Sequence, residues 1–208
     1  MVKGGAGNDT FSFAGAVTSS FIFGGKSTDS FTFSRAVTGG LVSGDTGNDT
    51  IVFNDNLFNA FVDGADDDDS IVLKSRSEGA TIEGGNARDV IDIDGNSIKI
   101  KVEGGADDDT IKITAKHEGG VLKGNAGDDS INVEAAFTGS ASFYGGKGKD
   151  SFTLSTEAKV LMRGDKNGDH LTAAAVKSGG ATLIGGDGFD TIDVKLGSTS
   201  SKFVIKGD

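Results

Sequence analysis

The chain has 208 residues, a formal net charge of -11, 34 Gly and no Pro, Cys or Trp. Without Cys, disulfides, thiolate chemistry and Cys-type zinc sites are excluded, and no apolar run is long enough to cross a bilayer as a helix. The acid excess argues against nucleic acid or anionic membrane as a partner, and it is lopsided: 25 Asp to 6 Glu, a bias typical of turns and of metal sites built from oxygen ligands.

One pattern repeats from the first residues onward. Gly4-Gly5-Ala6-Gly7-Asn8-Asp9-Thr10-Phe11-Ser12-Phe13 returns as Gly24-Gly25-Lys26-Ser27-Thr28-Asp29-Ser30-Phe31-Thr32-Phe33. Further copies start at Gly44, Gly64, Gly84, Gly104, Gly124, Gly145, Gly164 and Gly185. The near-constant period of about 20 residues makes residues 1–208 a single array with no internal boundary or linker. Counted from its first Gly, each unit is apolar at positions 8 and 10, from Phe11 and Phe13 to Ile192 and Val194. That period of two predicts a strand with one buried face. Another apolar residue stands two before each first Gly, from Val2 to Leu183, and predicts a second strand leading into the Gly-rich turn. Positions 11 to 16 read as a looser connection, and no segment has the pattern or length of a helix. A single coil cannot bury three apolar side chains alone, so coils must stack and pool them. The predicted fold is all-β: a right-handed parallel β-solenoid of ten coils, a rod roughly 48 Å long at about 4.8 Å per strand.

Position 6 is Asp in all ten units: Asp9, Asp29, Asp49, Asp69, Asp89, Asp109, Asp129, Asp150, Asp169 and Asp190. Stacking sets these carboxylates about 4.8 Å apart, where two like charges repel by roughly 1 kcal/mol in water and 3 to 4 at an effective dielectric near 20. A hard cation with oxygen ligands, calcium above all, would relieve that ladder. Gly at position 1 is expected to free the backbone for unusual dihedrals that aim turn carbonyls inward. The residues leave a second reading open. Turn Asp also accepts backbone N–H bonds, so a metal-free solenoid would show the same invariance. Lys26, Arg88, Lys147, Lys149 and Lys166 lie in the turns and could neutralise the ladder instead.

Gly4 to Ser12, Gly145 to Thr153 and Gly185 to Asp193 match Gly-Gly-x-Gly-x-Asp-x-apolar-x in full, while Gly44 to Val52 and Gly124 to Asn132 miss only the second Gly. This pattern resembles the calcium-binding nonapeptide of the repeats-in-toxin (RTX, hemolysin-type) proteins. The resemblance implies that the ten position-6 Asp are calcium ligands together with turn carbonyls, with an ion between equivalent turns of adjacent coils. It also implies a secreted or cell-surface location. The usual family array has two motifs per coil. Here there is one, and the opposite turn (Ala14 to Ser19, Thr114 to Gly119) has no recurring acid, so the implied metal is a single row. The best-formed gap is expected between the turns Gly104 to Asp109 and Gly124 to Asp129, followed by the gaps flanking Ala65 to Asp69.

Other readings carry less. Some ice-binding adhesin domains resemble this design, but they need ranks of Thr and Asn at positions 3 and 5, which are mixed here. Parallel β-helices also host polysaccharide-acting enzymes. The only imidazoles are His117, expected in the far loop, and His170, which replaces one of the Ser and Thr hydroxyls that stack at position 7; both are expected at the surface or in that hydroxyl ladder. Arg163-Gly164-Asp165 spells an adhesion tripeptide by coincidence of the repeat. Phe21 and Phe23 flank the inward Ile22 and should point outward. The array starts and stops in register, so the chain is expected to be an excerpt of a longer repeat protein whose open coil ends can stack end to end. The expected function is a non-enzymatic, calcium-stabilised spacer, stalk, surface-layer or adhesin segment, the alternative being a metal-free structural solenoid.

Overall fold

The computed structural model describes residues 1–135, 137–155, 159–176, 181–196 and 203–207. Every strand pairing is parallel, and no helix occurs among the described residues. Two sheets face each other across a narrow core. The short sheet has ten strands, one per coil, from Thr10–Phe13 and Ser30–Phe33 to Thr191–Leu196. The long sheet has thirteen, beginning with Val2–Ala6 and ending with Phe203–Lys206. Two of its coils are split, into Leu57–Phe58 with Phe61–Asp66 and Ser77–Glu78 with Thr81–Gly85. The register is that of the repeat: Phe11 pairs with Phe31, Phe31 with Ile51, and Ile91 with Ile111. Asp208, expected to open an eleventh turn after Lys206 and Gly207, lies outside the described residues.

The expected loose connection is shorter than its sequence suggests. Long-sheet strands such as Val17–Lys26 and His117–Ala126 begin at position 14 and run through the Gly-rich turn to position 3. Of the connection expected over positions 11 to 16, only positions 11 to 13 are left outside the strands. The strand reaches back because position 14 faces inward: Val37, Leu57, Ser77, Ser97 and His117 form one buried column, each in register with the next. Position 17 makes another from small residues, including Ala60 and Ala80, with Ile100 among them; Ala141, at position 18, joins it through the register shift that pairs it with Gly120. His117 is therefore not a surface residue; it is fully buried, with Nδ1 2.5 Å from Ser97 Oγ, and burial pushes its pKa down to about 4, so the ring is neutral.

Positions 8 and 10 fill the core from the short sheet. In the first coils their rings stack like coins: Phe11 on Phe31 at 4.6 Å, Phe13 on Phe33 and Phe33 on Phe53 at 4.7 Å, all within 6° of parallel. The spacing is that of the strands themselves, so the stack follows from register. Phe33, fully buried between two rings, is expected to cost about 3 to 5 kcal/mol when replaced by Ala, read from urea unfolding. Phe21 points outward as expected, 53% exposed, and the ring of Phe23 sits under Lys3 Nζ at 5.0 Å. Replacing Phe21 by Ser should change stability by less than about 0.5 kcal/mol.

Candidate metal centre

The invariant Asp stands immediately before each short-sheet strand, where parallel register places it directly over its counterpart. Its backbone is satisfied by the ladder: Ser30 N–H donates to Asp9 O and Thr50 N–H to Asp29 O, both at 2.9 Å. The side chain is turned into the protein. Asp29, Asp49, Asp69, Asp89, Asp109, Asp129, Asp150 and Asp169 are each at most 3% exposed, while Asp9 and Asp190, in the first and tenth units, are half-buried. One carboxylate oxygen has a constant partner. Asp9 N–H donates to Asp29 Oδ1 at 2.7 Å, Asp69 N–H to Asp89 Oδ1 at 2.8 Å, Asp109 N–H to Asp129 Oδ1 at 2.9 Å, and the series continues to Asp169 N–H on Asp190 Oδ1. This is the hydrogen bonding that a purely structural turn Asp would need.

The other oxygen has none. Oδ2 of Asp9, Asp29, Asp49, Asp69, Asp89, Asp109, Asp129, Asp150 and Asp169 is buried and lacks a hydrogen-bond partner. It lies against the position-1 Gly of its own turn: a Cβ on Gly104 would collide with Asp109 Oδ2, and one on Gly64 with Asp69 Oδ2. At Gly4, Gly64 and Gly164, among others, the carbonyl oxygen of the next coil's position-1 Gly approaches the same spot. Position 1 is thus Gly for clearance. The expected unusual dihedrals are found instead at positions 2 and 4, where φ is positive in every coil whatever the residue, as at Asp45 (74°), Asp67 (78°), Asp107 (73°) and Asn125 (82°).

An unpaired buried carboxylate is costly when ionised. Burial, aided by like-charged neighbours and only partly opposed by the backbone N–H, pushes Asp69 and Asp109 up to about 8. Asp89, Asp150 and Asp169 rise to about 7, and Asp49 and Asp129 to about 6, again mainly through burial. The turn cations do not compensate. Arg88 reaches Asp68 at 3.7 Å and Arg163 reaches Asp165 at 2.5 Å, and among the described residues no ion pair involves a position-6 Asp. Lys and Arg in the turns face solvent because the ladder lies behind the backbone.

No family profile matches the chain, and no curated protein does. Among solved structures it is similar to a hyperactive, Ca2+-dependent, β-helical antifreeze protein from an Antarctic bacterium, with a TM-score of 0.66 and 22% identity. The likeness covers 98% of this chain and 65% of that one, so the chain spans less than two thirds of its neighbour. The fold is a parallel β-helix.

In this β-helix the oxygen donors fit a hard cation. Nine coils offer a buried, unpartnered carboxylate oxygen, and in most of them the carbonyl oxygen of the next coil's Gly lies close by. Among the described residues no three His, Cys, Asp or Glu side chains cluster tightly enough to hold a metal by themselves. A cation here would draw the rest of its shell from backbone carbonyls, as P-block or transition-metal sites with imidazole or thiolate would not. All ten predicted Asp lie in the one row. The sequence reading missed Asp63 outside it, whose carboxyl burial pushes up to about 6, with Glu83, Asp45 and Asp66 adding to the shift. Its outward position in a long-sheet strand carries no motif signal.

Proposed function

We propose that this chain is a calcium-stabilised structural segment of a secreted or cell-surface protein, serving as a rigid spacer, stalk, surface-layer or adhesin element. The observation that carries the reading is the buried, unpartnered Oδ2 repeated through nine consecutive coils. Asp9, Asp29, Asp49, Asp69, Asp89, Asp109, Asp129, Asp150, Asp169 and Asp190 would hold one row of ions, which supply the positive charge the ladder lacks. The Ca2+-dependence of the structural neighbour supports this choice of cation. A chain built this way stays loose where calcium is scarce and orders where it is abundant, which suits folding after export.

The geometry supports a non-enzymatic role. Ser97 Oγ and His117 Nδ1 sit at the distance of a nucleophile and its base, but both residues are at most 1% exposed and no substrate reaches them. His170 is exposed and its Nε2 lies 3.0 Å from Asp193 Oδ2, a solvent-exposed pair at the rim of a small open hollow lined by Thr172, Asp193 and Lys195. Ice binding, the activity of the neighbour, is less favoured here because the turn column at position 3 carries Lys26, Asp66, Lys147, Lys166 and Asp187. The test is calorimetric titration of chelator-stripped protein with calcium. Several ions per chain are expected, with magnesium binding far more weakly because it demands a tighter octahedral shell. Absence of calcium heat from a protein that is already folded would sink the reading.

A further inference from the structure

The outer surface of the long sheet carries an open groove beside the Gly-rich turns of the last four coils. It consists of two contiguous hollows, of about 400 Å³ around Lys147, Arg163 and Lys166 and about 580 Å³ around Tyr144 and Lys123, which share Asn125, Gly146 and Asp165. Lys147 is in register with Lys166, and Tyr144 with Arg163, so each pair is separated along the rod by about one strand spacing of 4.8 Å. Both lysines are exposed and neither makes an ion pair with a described residue. Arg163 is held at the groove by its ion pair to Asp165. The arrangement breaks the trend of the molecule. In a chain of net charge -11, adjacent coils stack like-charged cations, whereas the same column reads Asp66, Asn86, Ala106 and Ala126 in the preceding coils.

We propose that this groove binds a carboxylate-bearing polysaccharide strand, a uronic-acid glycan, lying along the rod axis. Its carboxylates meet Lys147 and Lys166, whose spacing is set by the coil, and the apolar face of a sugar ring rests on Tyr144. Asn125, Asp165 and Asp187 line the groove as well and supply the acceptors that sugar hydroxyls need. Those acids and the overall negative charge oppose a nucleic acid, whose phosphates are denser and offer no donors in return. The lysines stand on the turns of Asp150 and Asp169, so the groove requires those turns to be folded, however their charge is neutralised.

The experiment is calorimetric titration of the intact chain with tetragalacturonate, maltotetraose and tetraglutamate, in calcium and low salt, with circular dichroism recorded on every sample. Tetragalacturonate is expected to bind at least about tenfold more tightly than either of the others, and more weakly as salt is added. The double variant Lys147→Glu/Lys166→Glu should lose at least about tenfold, Tyr144→Ala a few-fold, and the distant Lys74→Glu nothing. No binding of tetragalacturonate by folded protein overturns the proposal. So does equal affinity for the neutral sugar or the acidic peptide, or undiminished binding by a folded double variant. The calcium reading is judged separately, by the metal titration of unmodified protein.

Discussion

Stripped of divalent cations at pH 9, the protein is expected to lose most of its β-sheet circular dichroism, and calcium is expected to restore it. At that pH the ladder carboxylates are ionised, buried, and supplied with one backbone N–H each and no counter-charge. Protonation is the other way to remove the charge, which gives the metal-free protein a signed pH dependence. A carboxyl whose folded pKa lies above its unfolded value of about 3.9 favours the fold when protonated. Its destabilisation is absent below that value, grows as pH rises through the interval up to the folded pKa, and is complete above it. With Asp49 and Asp129 at about 6, Asp89, Asp150 and Asp169 at about 7, and Asp69 and Asp109 at about 8, the metal-free melting temperature should fall steadily from pH 5 to pH 9. Calcium should flatten that slope, and its affinity should weaken as pH drops because proton and metal compete for the same oxygens. Unchanged dichroism in excess chelator at pH 9 would show that backbone hydrogen bonds alone suffice.

Replacing Asp109 by Asn should act with opposite signs on the two forms of the protein. Asp109 lies mid-rod, 2% exposed, with Oδ1 accepting from Asp89 N–H at 2.9 Å and Oδ2 unpartnered. Asn is nearly isosteric, keeps the acceptor, and turns the orphaned anionic oxygen into a neutral amide with donors. In chelator at pH 9 the variant should gain about 1 to 3 kcal/mol, since an unpaired buried charge disappears. In calcium it should instead be less stable than the unmodified protein and bind fewer ions, because the gaps on both sides of that coil lose a ligand. Asp68→Asn, on the exposed side of the turn two coils away, is the control and should shift neither state appreciably. The β-sheet dichroism retained in chelator and thermal melts in calcium read the two signs, and a change of the same sign in both would assign Asp109 a purely structural role.

The core shows how far one repeat can be read. Phe31, Phe33, Ile71 and Leu73 were legible as inward residues because apolar type recurs at positions 8 and 10 in coil after coil. Position 14 was not, because its column changes from Val37 and Leu57 to Ser77, Ser97 and His117, and no single type marks it as buried. The sheet opposite needs that column filled whatever its chemistry, so the long strands extend back to it. The same blindness affected the turns. Positive φ at positions 2 and 4 is carried by Asp45, Ala65, Ala87 and Asn125 as readily as by Gly, so a count of glycines understated how regular the turn is.

The sequence by itself determined the stacked parallel architecture, its register and the identity of the Asp row. A constant period leaves like residues nowhere to lie but over one another, at the spacing of a strand. Tertiary structure alone decided what that row experiences. Whether a carboxylate is half-satisfied or fully satisfied depends on which N–H of the adjacent coil reaches it. Whether a turn lysine can neutralise it depends on the backbone standing between them. Both are relations between neighbouring coils, and a single unit of the repeat contains neither.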